Sequence, residues 1–186
     1  MNVKRGIAES FERLLEKKKF EDITIQDISD ESEISRATFY RNFKDKYDLM
    51  NWVYQHELDK YKDCLIGKEN SITITKILAE FIFSKRKYFS ELFKIEGQNS
   101  FTNFLAEYSM EFTKKQLEFV LDKGLPEHIT DAITIYCYGC ANYLKEWSVG
   151  GYKKSPEEIT MILTENMPEK LVKYLYVKKN KRRARF

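Results

Sequence analysis

Residues 35–46 read SRATFYRNFKDK, a stretch in which polar and apolar side chains recur at helical spacing. On a helix, Phe39 and Phe43 share one side, and Arg36, Ala37, Thr38, Tyr40 and Asn42 occupy the other. The second set is small, polar and rich in hydrogen-bond donors, the chemistry a helix needs to read base edges in the major groove. Ser35 stands where a helix cap is wanted, and Gln26 and Thr24 lie just upstream. Tyr40, Thr24 and the amides of a helix N-terminus can reach phosphate oxygens.

Other reactive residue types fall into weaker patterns. Cys137 and Cys140 form a C-x-x-C, but inside an apolar run, whereas redox pairs of this kind sit at a helix start after a strand. A zinc site needs four ligands, and neither His56 nor His128 is spaced to complete one. The pair is expected to pack in the core, with no metal and no cofactor. The chain has no G-x-S-x-G, no phosphate loop and only 2 histidines, so an enzyme is not expected.

Composition bounds the remainder. The chain has 186 residues, 42% of them hydrophobic, with 13 Phe and 12 Tyr, enough for a substantial core. Only 7 Gly and 3 Pro favour long helices over many-turned β architectures. Three cysteines suit a reducing compartment, and the N-terminal residues lack the apolar run of a signal peptide. No run of about 18 apolar residues is present. The expected location is the cytoplasm. The formal charge is +3, yet Lys178, Lys179, Lys181, Arg182, Arg183 and Arg185 at the end leave about −3 for everything before them. A basic tail therefore follows a mildly acidic body.

The elements that must position these residues read as helices nearly throughout. Ile7, Phe11, Leu14 and Leu15 predict a first helix over about 3–18. Thr24 with Asp27 forms a capping box for a short second helix, and Ser35 caps a third over about 36–43. Asp45 opens a fourth that runs to about 66, and GKENS (67–71) is the clearest break. Further helices are predicted near 72–87, 89–96, 99–123, 127–149, 156–166 and 168–178. Ser155, Pro156 and Glu158 supply a cap, a first-position proline and a capping-box glutamate. Helices of two turns are not stable alone. Phe11, Leu14, Phe20, Ile23, Ile28, Ile34, Phe39 and Phe43 are expected to give the first three a common core.

Residues 23–50, ITIQDISDESEISRATFYRNFKDKYDLM, resemble the DNA-binding segment of TetR-family transcriptional regulators. The resemblance covers about residues 3–52. It rests on a capped second helix, a turn, the pattern S-R-x-T-F-Y-x-x-F-K-x-K and a long fourth helix. It implies an all-α protein in three parts: a helix-turn-helix domain (1–48), a helical effector-binding and dimerisation domain (49–178), and a basic tail (179–186). It also implies a homodimer on a palindromic operator, controlled by a small-molecule or protein effector. The implied DNA contacts are Thr24, Gln26, Ser35, Arg36, Ala37, Thr38, Tyr40, Asn42 and Lys46. The family usually has glycine in the turn where this chain has Glu33. A left-handed non-glycine residue costs roughly 1 kcal/mol, which a packed motif tolerates. Residues 1–48 carry ten Lys/Arg against eleven Asp/Glu, so a few placed cations and helix amides must attract the phosphates.

DKYDLMNWVYQHEL and EWSVGGYKKSPEEITMIL are similar to a subgroup that includes activators of dihydroxyacetone-kinase operons, in which the effector can be a protein. An aromatic cluster predicts an effector pocket lined by Trp52, Tyr88, Phe89, Phe93, Phe104, Tyr108 and Phe112. Residues 132–144 are apolar nearly all round and must be buried on more than one side. The family pairs its last long helices across a two-fold axis. That places Tyr136, Gly139, Cys140, Tyr143, Leu144, Trp147, Ile159 and Leu163 in the dimer interface. The alternative is a helical interaction module or co-activator-type subunit without sequence-specific DNA binding, which leaves the polar face of residues 36–42 unexplained.

Overall fold

The computed structural model describes residues 3–65, 71–120 and 124–175. Among the described residues every regular element is an α-helix, ten in all. They are α1 (Val3–Leu15), α2 (Ile25–Glu31), α3 (Arg36–Asn42), α4 (Lys46–Leu65) and α5 (Ser71–Ser84), then α6 (Arg86–Leu92), α7 (Phe101–Val120), α8 (Glu127–Val149), α9 (Pro156–Glu165) and α10 (Glu169–Leu175). The expected break at 67–71 falls mostly outside the described residues, as does the basic tail. None of the described helices is long and apolar enough to cross a membrane.

The first three helices share a core, as their apolar spacing requires. α1 buries Ile7, Phe11, Leu14 and Leu15 along one side. It ends at Leu15, earlier than its lysines suggested, because the Lys17 and Lys18 amides both bond back to the Leu14 carbonyl. Phe11 meets Phe20 edge-on at 6.1 Å, and Phe39 lies 5.9 Å from Phe43. Ile28, Phe39 and Ile23 are completely or almost completely buried, and Ile34 packs against them from a half-buried position.

The turn between α2 and α3 contains Glu33 at φ +53°, the left-handed residue that the missing glycine implied. The strain is held by its surroundings: the Ser32 amide donates to Ile28 O and the Ile34 amide to Ser29 O, both at 3.0 Å.

The larger body is built on α7 packed along α8 and α5 packed along α9. The predicted 72–87 and 89–96 helices are divided earlier, at Lys85, whose φ/ψ of −109°/34° is not helical. That break brings Lys85 Nζ within 2.6 Å of both carboxylate oxygens of Glu12 on α1. Beside it, Tyr88 is edge-on to Phe11 at 6.2 Å and donates to the Met50 carbonyl at 3.4 Å. Head and body are thus joined twice, through α6 and through α4.

The turn after α8 needs its glycine. A Cβ at Gly150 would lie 2.8 Å from the Glu146 carbonyl oxygen. Beyond it, α9 starts on a complete capping box between Ser155 and Glu158, with Pro156 as its first residue.

Candidate nucleic-acid interface and internal cavity

α3 is only seven residues long, so its orientation depends on its cap and on one anchor. Ser35 Oγ accepts from the Thr38 amide at 3.1 Å, and Phe39 is completely buried. Arg36, Ala37, Tyr40 and Arg41 are left exposed, Tyr40 at 51% although its ring sits 5.6 Å from that of Phe39. Gln26 is exposed on α2, where its amide donates to Asp30 at 2.7 Å. Arg41 is missing from the sequence-derived set. Its guanidinium donates to Thr38 Oγ1 at 2.9 Å, and its place on the exposed side of the same helix was the available signal.

The remaining residues of the expected set also serve the backbone. Thr24 caps α2, accepting from the Asp27 amide at 3.1 Å and donating to Asp27 Oδ2 at 2.8 Å. Thr38 is half-buried and shares a 3.0 Å bond with Ser35. The Asn42 amide, also half-buried, donates to Thr38 O at 2.8 Å.

Lys46 sits elsewhere than its expected role suggests. Its ammonium donates to the carbonyls of Phe20, Glu21 and Ile23 at 2.8, 3.1 and 2.8 Å and lies 4.6 Å from the centre of the Phe20 ring. All three of its donors are engaged by the loop before α2. Desolvation lowers its pKa, opposed by the charges of Glu21 and Asp22. Part of the charge on this head is paired: Arg13 and Lys17 reach Glu31, and Lys18 reaches Asp27 at 2.7 Å. The Lys18 bond, and then bonds from Thr24, hold the Asp27 carboxyl down to about 2.

The body contains a cavity of about 110 Å³ lined from α4, α5, α7, α8 and α9, with Met167 beyond them. Of the residues expected in an effector pocket, Tyr108 and Phe112 line it. Phe89 and Phe93 do not; both are completely buried in the core. Tyr88 is taken up at the junction with α1, and Phe104 packs 6.1 Å from Tyr54 without lining the cavity. Trp52 lies under the head, stacked 4.5 Å from His56 and edge-on to Phe43 at 5.7 Å. The lining residues that sequence reasoning missed include Tyr54, Leu58 and Gln116. Aromatic spacing marks rings that pack together; it does not mark where packing leaves room.

The residues of α8 and α9 expected at a dimer interface are divided between the inside and the outside of the chain. Tyr136, Cys140, Leu144 and, from α9, Leu163 line the cavity. Trp147 and Ile159 are buried within the chain, and half-buried Tyr143 packs against the same core. Gly139 faces open space. The apolar groups left outside are Ile135, Tyr138, Val149 and, on α9, Met161, with exposures of 74, 37, 54 and 57%. Burial pushes the Cys137 thiol up to about 12 and that of Cys140 to about 11. Both are therefore neutral wall groups rather than thiolates.

Comparison with known proteins matches both regions. The family model described as bacterial regulatory proteins, tetR family, matches residues 9–53. A model described as transcriptional regulator C-terminal region matches residues 69–169. Among curated proteins, the chain is similar to the HTH-type dhaKLM operon transcriptional activator DhaS of Lactococcus lactis subsp. lactis (strain IL1403), with 26% identity over 103 residues. That match covers 50% of this chain and 55% of the relative, so it spans about half of that protein. Among solved structures, the dihydroxyacetone kinase operon activator DhaS superposes with a TM-score of 0.60 at 16% identity, covering 94% of this chain and 96% of its own. At that identity the likeness is one of fold.

Proposed function

The chain belongs to the TetR family of bacterial regulatory proteins, and from that premise we propose that it binds a palindromic operator as a homodimer under the control of an effector. In this reading residues 1–48 are the DNA-binding head and 49–178 the effector and dimerisation domain. The protein acts in the cytoplasm, where its DNA partner lies. Gln26, Arg36, Ala37 and Tyr40 meet the DNA directly, while Thr24, Ser35, Thr38 and Asn42 fix the helices and offer further contacts to phosphate. Lys46 acts from behind, by holding the loop that precedes α2.

The observation that carries this reading is the anchored helix α3, with Phe39 completely buried and Tyr40 half exposed one residue later. A mobility-shift assay on the DNA upstream of the chain's own gene tests it. We expect sequence-specific binding that weakens steeply with salt. Tyr40→Phe should weaken it by up to about 1–3 kcal/mol without lowering the melting temperature. Binding indifferent to sequence at low salt would overturn the reading.

Dimerisation is supported by Ile135, Tyr138, Val149 and Met161, four large apolar side chains exposed on α8 and α9. Sedimentation should show a dimer at micromolar concentration and a monomer for Ile135→Glu. Two heads must sit about 34–36 Å apart to enter successive major grooves. α4 is the candidate lever for that spacing: Lys46 clasps the head, while Tyr54 and Leu58 line the cavity. An effector that prefers one tilt of α4 by about 1–3 kcal/mol would couple the two sites.

A further inference from the structure

The cavity in the body has two reactive groups in its lining. Cys137 and Cys140 both border it, and both thiols are free. They lie three residues apart on α8, a spacing that brings Cβ atoms to about 5–6 Å. A cysteine side chain ends in its sulfur, one bond past Cβ, so a helical cysteine presents little else to a cavity it lines. The Thr113 hydroxyl on α7 lies beside the Cys137 thiol, and the Tyr136 hydroxyl beside that of Cys140. Thr113 and Tyr136 line the same cavity, and Leu58, Leu78, Leu105 and Phe112 add apolar surface to it.

What such a pair can hold depends on its protons. Metal ions take thiolates. Burial opposes thiolate formation here, and the neighbouring Cys140 opposes it further at Cys137, so the two thiols rise to about 12 and about 11. A bound metal ion also draws on more than two ligands. Among the described residues no group of three or more His, Cys, Asp or Glu could hold one.

Trivalent arsenic makes a different demand. In an organoarsonous acid, arsenic carries one organic group and two hydroxyls. Each As–S bond forms as an As–O bond breaks, and the thiol proton leaves with that hydroxyl as water. Two thiols therefore release two waters, arsenic stays trivalent, and no charge is left in the cavity. The neutral, buried thiol is the form consumed. The cavity volume of about 110 Å³ is comparable to the roughly 150 Å³ of an apolar cavity that takes up benzene, which limits the organic group to about one ring.

We propose that Cys137 and Cys140 form a two-thiol site for a small trivalent organoarsenical, its arsenic bridging both sulfurs and its organic group filling the apolar space. The site stands on the placement of the pair. Its role as the effector site rests on the reading that an effector acts through the larger domain.

Intact-mass measurement on the full chain treated with phenylarsine oxide, which hydrates to the arsonous acid, tests the proposal. Phenylboronic acid, with the same ring and two hydroxyls but no lasting bond to sulfur, and zinc ion serve as comparisons. A Cys64→Ala chain keeps Cys137 and Cys140 as its two thiols. The expected result is one phenylarsenic unit on the wild type and on Cys64→Ala, retained in excess monothiol and released by dimercaptopropanol. Cys137→Ala and Cys140→Ala should each hold the unit about a hundredfold more weakly, because the second bond no longer adds to the first. Cys140 is half-buried, so Cys140→Ala decides the matter even if Cys137→Ala fails to fold.

Unchanged retention in Cys140→Ala would overturn the site, as would loss of retention in Cys64→Ala or no adduct on the wild type. Binding of phenylboronic acid as tight as that of the arsenical, or tighter binding of zinc by the pair, would overturn it too. A bridged adduct that shifts operator affinity supports the effector role. An adduct that leaves operator affinity unchanged supports the site and overturns that role. Absence of specific operator binding by the untreated chain would overturn the DNA-binding reading and leave the adduct result standing.

Discussion

In the head, α2 and α3 are seven residues each, and Thr24 and Ser35 close their N-termini with side-chain hydrogen bonds. In the body, α8 runs for 23 residues from Pro126 with no side-chain cap, and α4 completely buries a tyrosine hydroxyl without a partner. The two regions use polar groups differently because their helices depend on different forces. A two-turn helix gains too little from its own backbone bonds to persist, so the Thr24 and Ser35 hydroxyls and the Asp27 carboxylate are committed to fixing main chain. A six-turn helix is held by the packing of its sides and can carry a polar group that fixes nothing. In the head, the hydroxyls of Thr24 and Ser35 fix main chain although both are exposed. In the body, buried polar atoms such as Asn51 Oδ1, Tyr54 Oη and Thr102 Oγ1 fix nothing.

Several substitutions test that contrast. The largest effect is expected from Phe39→Ala, which removes the anchor of α3 and should destabilise the head by about 3–5 kcal/mol, read by urea denaturation. Thr24→Ala removes one half of a capping box and should cost about 1 kcal/mol in the same measurement. An equal loss from Pro126→Ala at the uncapped start of α8 would break the comparison. The Glu12–Lys85 pair joins the regions from half-buried positions, with side-chain exposures of 28 and 35%. A double-mutant cycle with Glu12→Gln and Lys85→Met should give a coupling of about 1 kcal/mol or less.

Asp27 is expected to give the smallest effect, again below about 1 kcal/mol because its bond to Lys18 faces solvent. Its carboxyl falls from 3.8 to about 2 on folding. The stabilisation is therefore present above pH 3.8 and is lost as pH falls towards about 2. Asp27→Asn should flatten that part of the acid unfolding curve and leave neutral pH as its region of net loss.

Much of the head was legible because its signals are local. Thr24 with Asp27, Ser35, and Ser155 with Pro156 and Glu158 each act within four residues, and each caps the helix its spacing implied. Glu33 adopts the left-handed backbone that its place in the turn required. α8 was harder to read because residues 132–144 are apolar in more than one direction. Tyr136, Cys140 and Leu144 recur at helical spacing, and so do Ile135, Tyr138 and Gly139; periodicity cannot say which set meets α7. Lys46 was hard for another reason: a long flexible side chain can reach several destinations, and sequence spacing does not rank them.

The lysine clasp also bears on how freely this protein can change over generations. Lys46 holds residues 20–23 through three main-chain carbonyls, and every amino acid supplies a carbonyl. The hydrogen bonds themselves therefore need no particular side chain at the exposed Glu21 and Asp22, whose negative charges favour the ammonium they surround. Those positions can vary in size while the path of the loop stays pinned, and a basic residue at either would oppose the clasp. Arginine is a poor replacement for the lysine itself, because a planar guanidinium cannot aim three donors from one atom at three converging oxygens. A library randomised at 21 and 22 should retain folding broadly, whereas one randomised at 46 should return mostly lysine.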